Sequence, residues 1–454
     1  MALAVVMGAL STSHSRQAVP IAIAAVLAAA WLFIAALDLA VGVVVLLITT
    51  TLIDRFTLPV GGAAIRAEQI AVVVALGIVV VSHRKASPST WLRPTFPEAL
   101  LVLWFVIAFI SSVVFAPERF ASLKILALLA ISASVIFVPR RLLRPDMIET
   151  LMRWFLILLL LEAAYGLAAW LLHALGPNLS ISVNRDHLSA YGTLWEPNVF
   201  GAVCAAGAVA WALVGHRFYR WSWVAIAICA GGATVSFTRS AWIALGLVAV
   251  LVLITPARRQ VEVGTTALAA TTAVALIGAL LIVDHVGDYW IAPAAQASAS
   301  TTPSSRSADV TTNAGDLTDL AGRVYQIRPV LSDLRSHPLL GGGVDSMVQR
   351  HNNPSLAHIG NVELSVLNDT GVVGLLIFTA FVLASLFAAW QRRWDPLVVA
   401  LVGTTLVIAI TNQATETMEL MFTWLFLGLL LAASDLPSLV RSPRLARLGR
   451  VSSA

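Results

Sequence analysis

The sequence predicts an all-α polytopic membrane protein, with about 12 or 13 transmembrane helices and one large external loop containing short amphipathic helices. Three observations predict it. Apolar residues are 59% of the 454 residues and charged residues only 12%, where a soluble domain carries about 25% charge. The mean hydropathy is +0.87, and apolar runs near the ~20 residues a crossing helix needs recur along the chain. One long polar region, in the second half, interrupts them. A water-soluble globule is excluded. Backbone groups inside a bilayer must bond within their own segment, so the runs are helices and not open strands.

In order, the apolar runs are Val19 to Leu37, Leu39 to Ile53, Ile70 to Ser82, Glu98 to Phe115, Leu123 to Val138 and Leu151 to Leu175. Then come Val199 to Gly215, Trp221 to Phe237, Ala241 to Thr255 and Thr265 to Val283. Gly371 to Trp390, Leu397 to Ile410 and Leu420 to Ala433 complete the series. The chain divides into four parts: N-terminal transmembrane helices over 1–283, an external loop over 284–370, C-terminal transmembrane helices over 371–434 and a basic cytoplasmic tail over 435–454.

Positive residues sit in short clusters at segment ends. These are His83-Arg84-Lys85, Arg140-Arg141 with Arg144, Arg217 with Arg220, Arg258-Arg259, Arg392-Arg393 and the arginines of the tail. From Ile70 onward every second loop carries the positive charge, which marks those loops as cytoplasmic. The loop over 284–370 therefore faces outward, periplasmic or at the cell surface. The first two runs fit less well, because counting both as full spans leaves Arg16 outside. The N-terminus has the feel of a signal peptide, but a second apolar run follows at once, so it is expected to stay as an anchor. The net charge of +5 belongs to this topology pattern and not to nucleic-acid binding. Cys204 and Cys229 lie in apolar runs and read as buried small residues.

The stretch Gly322 to Leu376 gathers arginines, histidines, carboxylates and a triple glycine. A chain with so little polar surface concentrates its chemistry where the polar residues are. Pro293 to Asn313 is rich in Ala, Ser and Thr and reads as a linker. Asp316 to His337 has helical spacing, with Val324, Ile327, Val330, Leu331 and Leu334 on one face and Arg323, Asp333 and Arg335 elsewhere on the wheel. Such a helix lies against the membrane or the bundle. His337-Pro338 stops it and Gly341-Gly342-Gly343 turns the chain. A second short helix is expected from Asn361 to Asn368.

Three places hold polar residues that topology alone does not require. Ser236 to Ser240 is a tight outer turn containing Arg239, whose guanidinium either snorkels to headgroups or offers a rigid fork to a phosphate. Trp195-Glu196-Pro197-Asn198 precedes an apolar run, where a helix start accounts for Pro197 and Glu196. The loop holds Arg323, Arg328, His351, His358, Glu363 and Asp369, and His358 lies just before the chain returns to the membrane.

These residues resemble the O-antigen ligase and polymerase superfamily of membrane glycosyltransferases. SFTRSAWIALGLVAVLVLI resembles its Ser-Arg-Gly element followed by a hydrophobic helix, with Ser240 in place of the glycine. WEPNVFGAV resembles its Pro-Asn helix start. GRVYQIRPVLSDLRSHPLLGGGVDSM resembles its arginine-bearing loop helix and glycine turn. AHIGNVELSVLNDTGVVGLLIF resembles its His-Asn element and the helix start after it. The family has histidine directly before the asparagine. Here Gly360 stands there, which leaves His358 as the expected functional histidine. His351-Asn352 matches the dipeptide but lies farther from Thr370-Gly371, in a segment that reads as a loose turn.

The resemblance implies transfer of a glycan from a polyprenyl diphosphate-linked oligosaccharide to a glycan, lipid or protein acceptor, on the outer face of the inner (plasma) membrane. It implies catalytic roles for Arg239 and Arg323, which neutralise the leaving diphosphate, and for His358 as base, with inversion at the anomeric carbon. Arg328, Glu196, Asn198 and Asn361 are the residues it implies for substrate binding. No cofactor is expected, and no dense carboxylate cluster suggests a metal. Ligase and polymerase differ only in the acceptor and stay unseparated. The rival reading is a transporter or flippase for a lipid-linked or amphiphilic substrate. Its best sequence feature is Glu162, inside an apolar run beside Tyr165.

Overall fold

A computed structural model of the chain describes residues 38–52, 57–60, 63–82, 94–172, 181–184, 187–194, 196–254, 317–351, 359–413, 415, 417, 418 and 420–435. The expected runs Val19 to Leu37 and Thr265 to Val283, and the Pro293 to Asn313 linker, lie outside these residues.

Among the described residues, five helices are long and apolar enough to span a bilayer and six shorter apolar helices accompany them. The chain is an all-α polytopic membrane protein. In order the elements are α1 (Leu39–Leu52), the strands β1 (Thr57–Val60) and β2 (Ala63–Arg66), α2 (Ala67–Ser82), α3 (Phe96–Val114), α4 (Arg119–Ser134), α5 (Phe137–Leu142) and α6 (Ile148–Leu171). Next come β3 (Ile181–Asn184), β4 (His187–Ala190), α7 (Pro197–Ala210), α8 (Ser222–Val235) and α9 (Arg239–Ile254). The polar loop supplies α10 (Leu317–Ser336) and α11 (Met347–His351), and the chain ends in α12 (Val362–Trp390), α13 (Pro396–Thr411) and α14 (Met421–Asp435). The two strand pairs are antiparallel hairpins between helices, with Thr57 opposite Arg66 and Ile181 opposite Ala190. Sequence periodicity did not foretell them, because four-residue strands are too short to display one.

The helices have local reasons to start where they do. Thr95 and Glu98 form a reciprocal capping box at α3, with Pro97 in its first turn. Asp395 caps α13 by accepting from the Leu397 amide at 3.0 Å, again ahead of a proline. α7 is almost entirely buried and forms the axis of the bundle, packed against α6, α8, α9 and α13. Its sequence PNVFGAVCAAGAVA is made of small residues, which lets neighbouring backbones approach. A Cβ on Gly232 would lie 2.8 Å from the Cys204 sulfur, so both cysteines fill space between α7 and α8. α7 continues through a π-helical turn, Trp211–Gly215, with the Trp211 indole donating to the Leu156 carbonyl at 2.9 Å.

The bundle has two distinct ends. At the basic end, the fully buried Glu98 accepts from Arg140 at 2.9 Å and from Arg141 at 2.7 Å, and Arg140 also pairs with Asp435 at the close of α14. Arg144 stands 3.9 Å from Asp38, at the start of α1. This fixes α1 as running from the basic end to the opposite end, where the Thr193 hydroxyl bonds the Leu52 carbonyl. The opposite end receives both hairpins and the polar loop, and is called the loop end below.

The buried Glu98 is shared by two partly exposed guanidinium groups, and Arg140 has Asp435 as a second partner. Removing one partner of a fully buried pair costs about 3–5 kcal/mol, and less where the remaining charge keeps water or a second partner. Glu98→Ala is expected to lower the melting temperature of the purified protein clearly. An unchanged melting curve would mean that the cluster does not hold α3, α5 and α14 together.

Candidate active site

The loop end is built around a break in α12. Gly371 has φ 65° and ψ −167°, a conformation that no helical residue adopts. In an unbroken helix the carbonyls of Asn368 and Asp369 would accept from the amides of Val372 and Val373. Here all four groups bond to the glycine turn instead. Gly342 and Gly343 donate to the carbonyls of Asn368 (2.8 Å) and Asp369 (3.1 Å). Val372 and Val373 donate to the carbonyls of Pro338 (3.0 Å) and Leu339 (3.1 Å). The turn has left-handed geometry at Gly341 and Gly343, and a Cβ on Gly341 would meet the Gly371 and Thr370 amides at 2.5 Å.

Serines of α3 and α4 extend this seam. Ser111 donates to the Asp369 carbonyl at 2.7 Å, Ser112 accepts from the Val344 amide at 3.2 Å, and Ser122 donates to the Val344 carbonyl at 2.6 Å. Arg350 completes it, bonding the Phe115 carbonyl at 3.1 Å and the Gly342 carbonyl.

The loop helices form a small cover over the seam. Val330 of α10, Met347 of α11 and Ile359 make an apolar cluster with Leu364 and Leu367 of α12. Val330 is fully buried, whereas Ile327 and Leu331 are exposed beside it. Gln326 holds the next turn by accepting from the Gly360 amide at 3.0 Å. The expected short helix from Asn361 to Asn368 is in fact the first part of α12, ahead of the Gly371 break. Asn361 caps it, accepting from the Leu364 amide at 2.9 Å, and donates to the Gln413 side chain at 3.0 Å. Gln413 in turn donates to Glu363 at 2.7 Å.

A second group forms where α7 and α9 begin. Thr238 donates to the Pro197 carbonyl at 3.0 Å. Phe237 takes φ 54° to make the turn tight. Gly201 allows the approach, since a Cβ there would lie 2.4 Å from the Ser236 hydroxyl and 2.7 Å from Thr238. Two helix N-termini therefore meet, each carrying partial positive charge and free amides. Arg239 is the first residue of α9 and is exposed. Asn198 and Glu196 bond each other beside it at 2.5 Å.

The sequence-expected residues thus fall into two groups. Arg239, Glu196 and Asn198 come together at the helix starts. Arg328, exposed on α10, and Asn361 belong to the loop cover. Arg323 lies on α10 and its side chain is outside the described part; His358 lies outside the described residues. α13 links the groups, because it packs on α7 and α9 and the Asn412 carbonyl at its end accepts from the Val362 amide at 3.2 Å. Among the described residues, no three His, Cys, Asp or Glu residues gather closely enough to hold a metal ion.

Sequence reasoning did not find Gln413, or the partners of His351. His351 ends α11 instead of lying in a loose turn, and its Nε2 is 3.1 Å from Asp333 Oδ1. Asp333 is correspondingly not a solvated face residue, with 11% of its side chain exposed. The polar run Thr411-Asn412-Gln413 between two apolar segments was the available signal for Gln413. For Asp333 and His351 there was none, since they are far apart in the chain.

A polytopic helical bundle with a polar loop docked on one end defines the broad class. Residues 224–379 match the family model described as O-Antigen ligase, a stretch that runs from α8 through the Arg239 turn and the loop into α12. Over that stretch, about a third of its length, the chain is similar to the O-antigen ligase family. No curated protein matches it.

Gly371 carries the seam through its backbone conformation, and a Cβ there would lie 2.4 Å from the Leu339 carbonyl carbon and oxygen. Gly246, in mid-α9, is open: a Cβ there would meet nothing within 4 Å. Gly371→Ala is expected to reduce folded yield strongly, while Gly246→Ala is neutral or stabilising by about 0.5–1 kcal/mol. Size-exclusion yield and melting of the two purified variants check this, and equal behaviour would remove the seam's special status.

Proposed function

We propose that the protein is a membrane glycosyltransferase. It moves a glycan from a polyprenyl diphosphate carrier to an acceptor hydroxyl, on the outer face of the plasma membrane. The observation that carries this reading is the meeting of two helix N-termini with Arg239 at the loop end, within the stretch that matches the O-antigen ligase family. Helix N-termini and a guanidinium fork both favour a phosphate-bearing ligand. The clusters Arg140-Arg141, Arg217 with Arg220 and Arg392-Arg393 all lie toward the other end, which supports an outward-facing loop by the charge rule.

The chemistry follows from the donor. As the bond between the anomeric carbon and the diphosphate oxygen breaks, negative charge grows on the leaving group. Arg239 and Arg323 are the residues proposed to neutralise it, with Arg328 five residues after Arg323 on α10. A fixed donor in a water-poor site matters most at that moment. Displacement from the opposite face inverts the anomeric configuration and requires a base for the acceptor hydroxyl. The loop segment that precedes Asn361 offers histidines for that role, His358 among them. Glu196 and Asn198, which bond each other near the start of α9, are the residues proposed to meet sugar hydroxyls. Asn361 has both side-chain functions engaged and contributes by holding the start of α12.

The transport reading loses its best feature. Glu162 accepts from the Thr193 amide at 2.9 Å and from its hydroxyl at 2.6 Å, so the buried carboxylate anchors the turn after β4.

Purified protein supplied with a lipid-diphosphate-linked oligosaccharide and an acceptor should yield a product of higher mass. Removing one charge-stabilising donor typically costs about 10²–10³ in rate, so Arg239→Ala and Arg323→Ala are each expected to fall by at least that factor. Lysine should rescue poorly because it lacks the planar fork. Full transfer by either alanine variant would remove that arginine from the mechanism.

A further inference from the structure

We infer that His351, oriented by Asp333, is the proton acceptor for the incoming hydroxyl. This inference rests on the glycan-transfer reading and names a residue for its base. Asp333 sits on α10 four residues before His337, and His351 ends α11. The ring Nε2 lies 3.1 Å from Asp333 Oδ1. A carboxylate only accepts, so Nε2 carries the hydrogen and Nδ1 is left with its lone pair. The exposures have the sense that the role needs. The carboxylate is 11% exposed and the imidazole 28% exposed, so a shielded anchor holds a ring that a substrate reaches from outside.

The neighbours make the pair rigid. Arg350, the residue before His351, stands 3.7 Å from Asp333 Oδ2 and bonds the Phe115 carbonyl at the loop end of α3. It also bonds the Gly342 carbonyl in the seam. His337 packs at a tilt against the same Phe115 ring, with centroids 4.8 Å apart. The imidazole is therefore held against the loop end of α3 and the glycine seam. Two polar atoms on the same segments, His337 Nδ1 and Gln349 Oε1, are buried and make no hydrogen bond among the described residues, and Asp333 Oδ2 has the Arg350 ion pair but no hydrogen bond. A cluster that served packing alone would be expected to satisfy its polar atoms.

The step balances with the two substrates already named. The acceptor oxygen forms a bond to the anomeric carbon as its proton passes to His351 Nδ1. The bond from that carbon to the diphosphate oxygen breaks, and its electron pair leaves with the lipid diphosphate. The imidazolium, held through Nε2–H by Asp333, then releases the proton to solvent. His351 touches the reacting hydroxyl and is catalytic in this step; Asp333 positions it.

The test uses the full-length protein in lipid, with a lipid-diphosphate-linked oligosaccharide and a hydroxyl acceptor. His351→Gln keeps a donor for Asp333 and so preserves the contact while removing the base. It is expected to stay folded, keep the donor KM and lose about 10²–10⁴-fold in kcat. His351→Gly should lose as much and regain turnover when imidazole is added, a response that a packing residue does not give. Asp333→Asn should lower kcat with the donor KM unchanged. Wild-type turnover in His351→Gln overturns the inference while leaving glycan transfer standing. So does a loss seen only in His358→Gln. A wild-type protein that transfers nothing overturns the glycan-transfer reading and this inference with it.

Discussion

The backbone break at Gly371 is the constraint on which the loop end depends. It strands two carbonyls and two amides within an apolar membrane-spanning helix, and each such group left unsatisfied away from water costs several kcal/mol. The Pro338-to-Gly343 turn supplies two acceptors and two donors in the matching order. The exchange is complete, so neither partner is stable in this form without the other. It also explains why the turn is glycine-rich. Gly341 and Gly343 take left-handed conformations, and the backbone at Gly341 comes within reach of the Gly371 amide.

The polar contacts of the loop are built on that seam. Ser111, Ser112 and Ser122 bind it to α3 and α4. Arg350 ties α11 to the same place, and through Asp333 it ties α10. On the other side, α13 joins the start of α12 to α7 and α9, where Arg239 begins its helix. The proposed glycosyl transfer would need rigidly held polar groups. At this end of the bundle they are held by fixing a short loop to helix ends.

Much of this was legible in the sequence. The spans were, because a bilayer imposes a length and a composition that no soluble helix shares. α10 was, from its spacing, and so was the glycine turn. The grouping of Arg239 with Pro197 and Asn198 was visible only as separate motifs; Thr238 and Gly201 bring them together. The rest depended on contacts between distant positions. Nothing local marks Ser111 as a partner of Asp369, or Asp333 as the anchor of His351. The helical wheel put Asp333 off the apolar face, which was correct, but a wheel does not show that α11 covers that face. The hairpins were missed for a different reason, since their strands are shorter than any period that a sequence displays.

Hydrogen–deuterium exchange at the Pro338-to-Val344 segment, on the protein in lipid, tests the seam most directly. The account predicts that the Gly342 and Gly343 amides, although in a glycine-rich turn, exchange as slowly as amides inside the spans, and that Val372 and Val373 match them. Exchange of Gly342 and Gly343 at the rate of an open loop would contradict it.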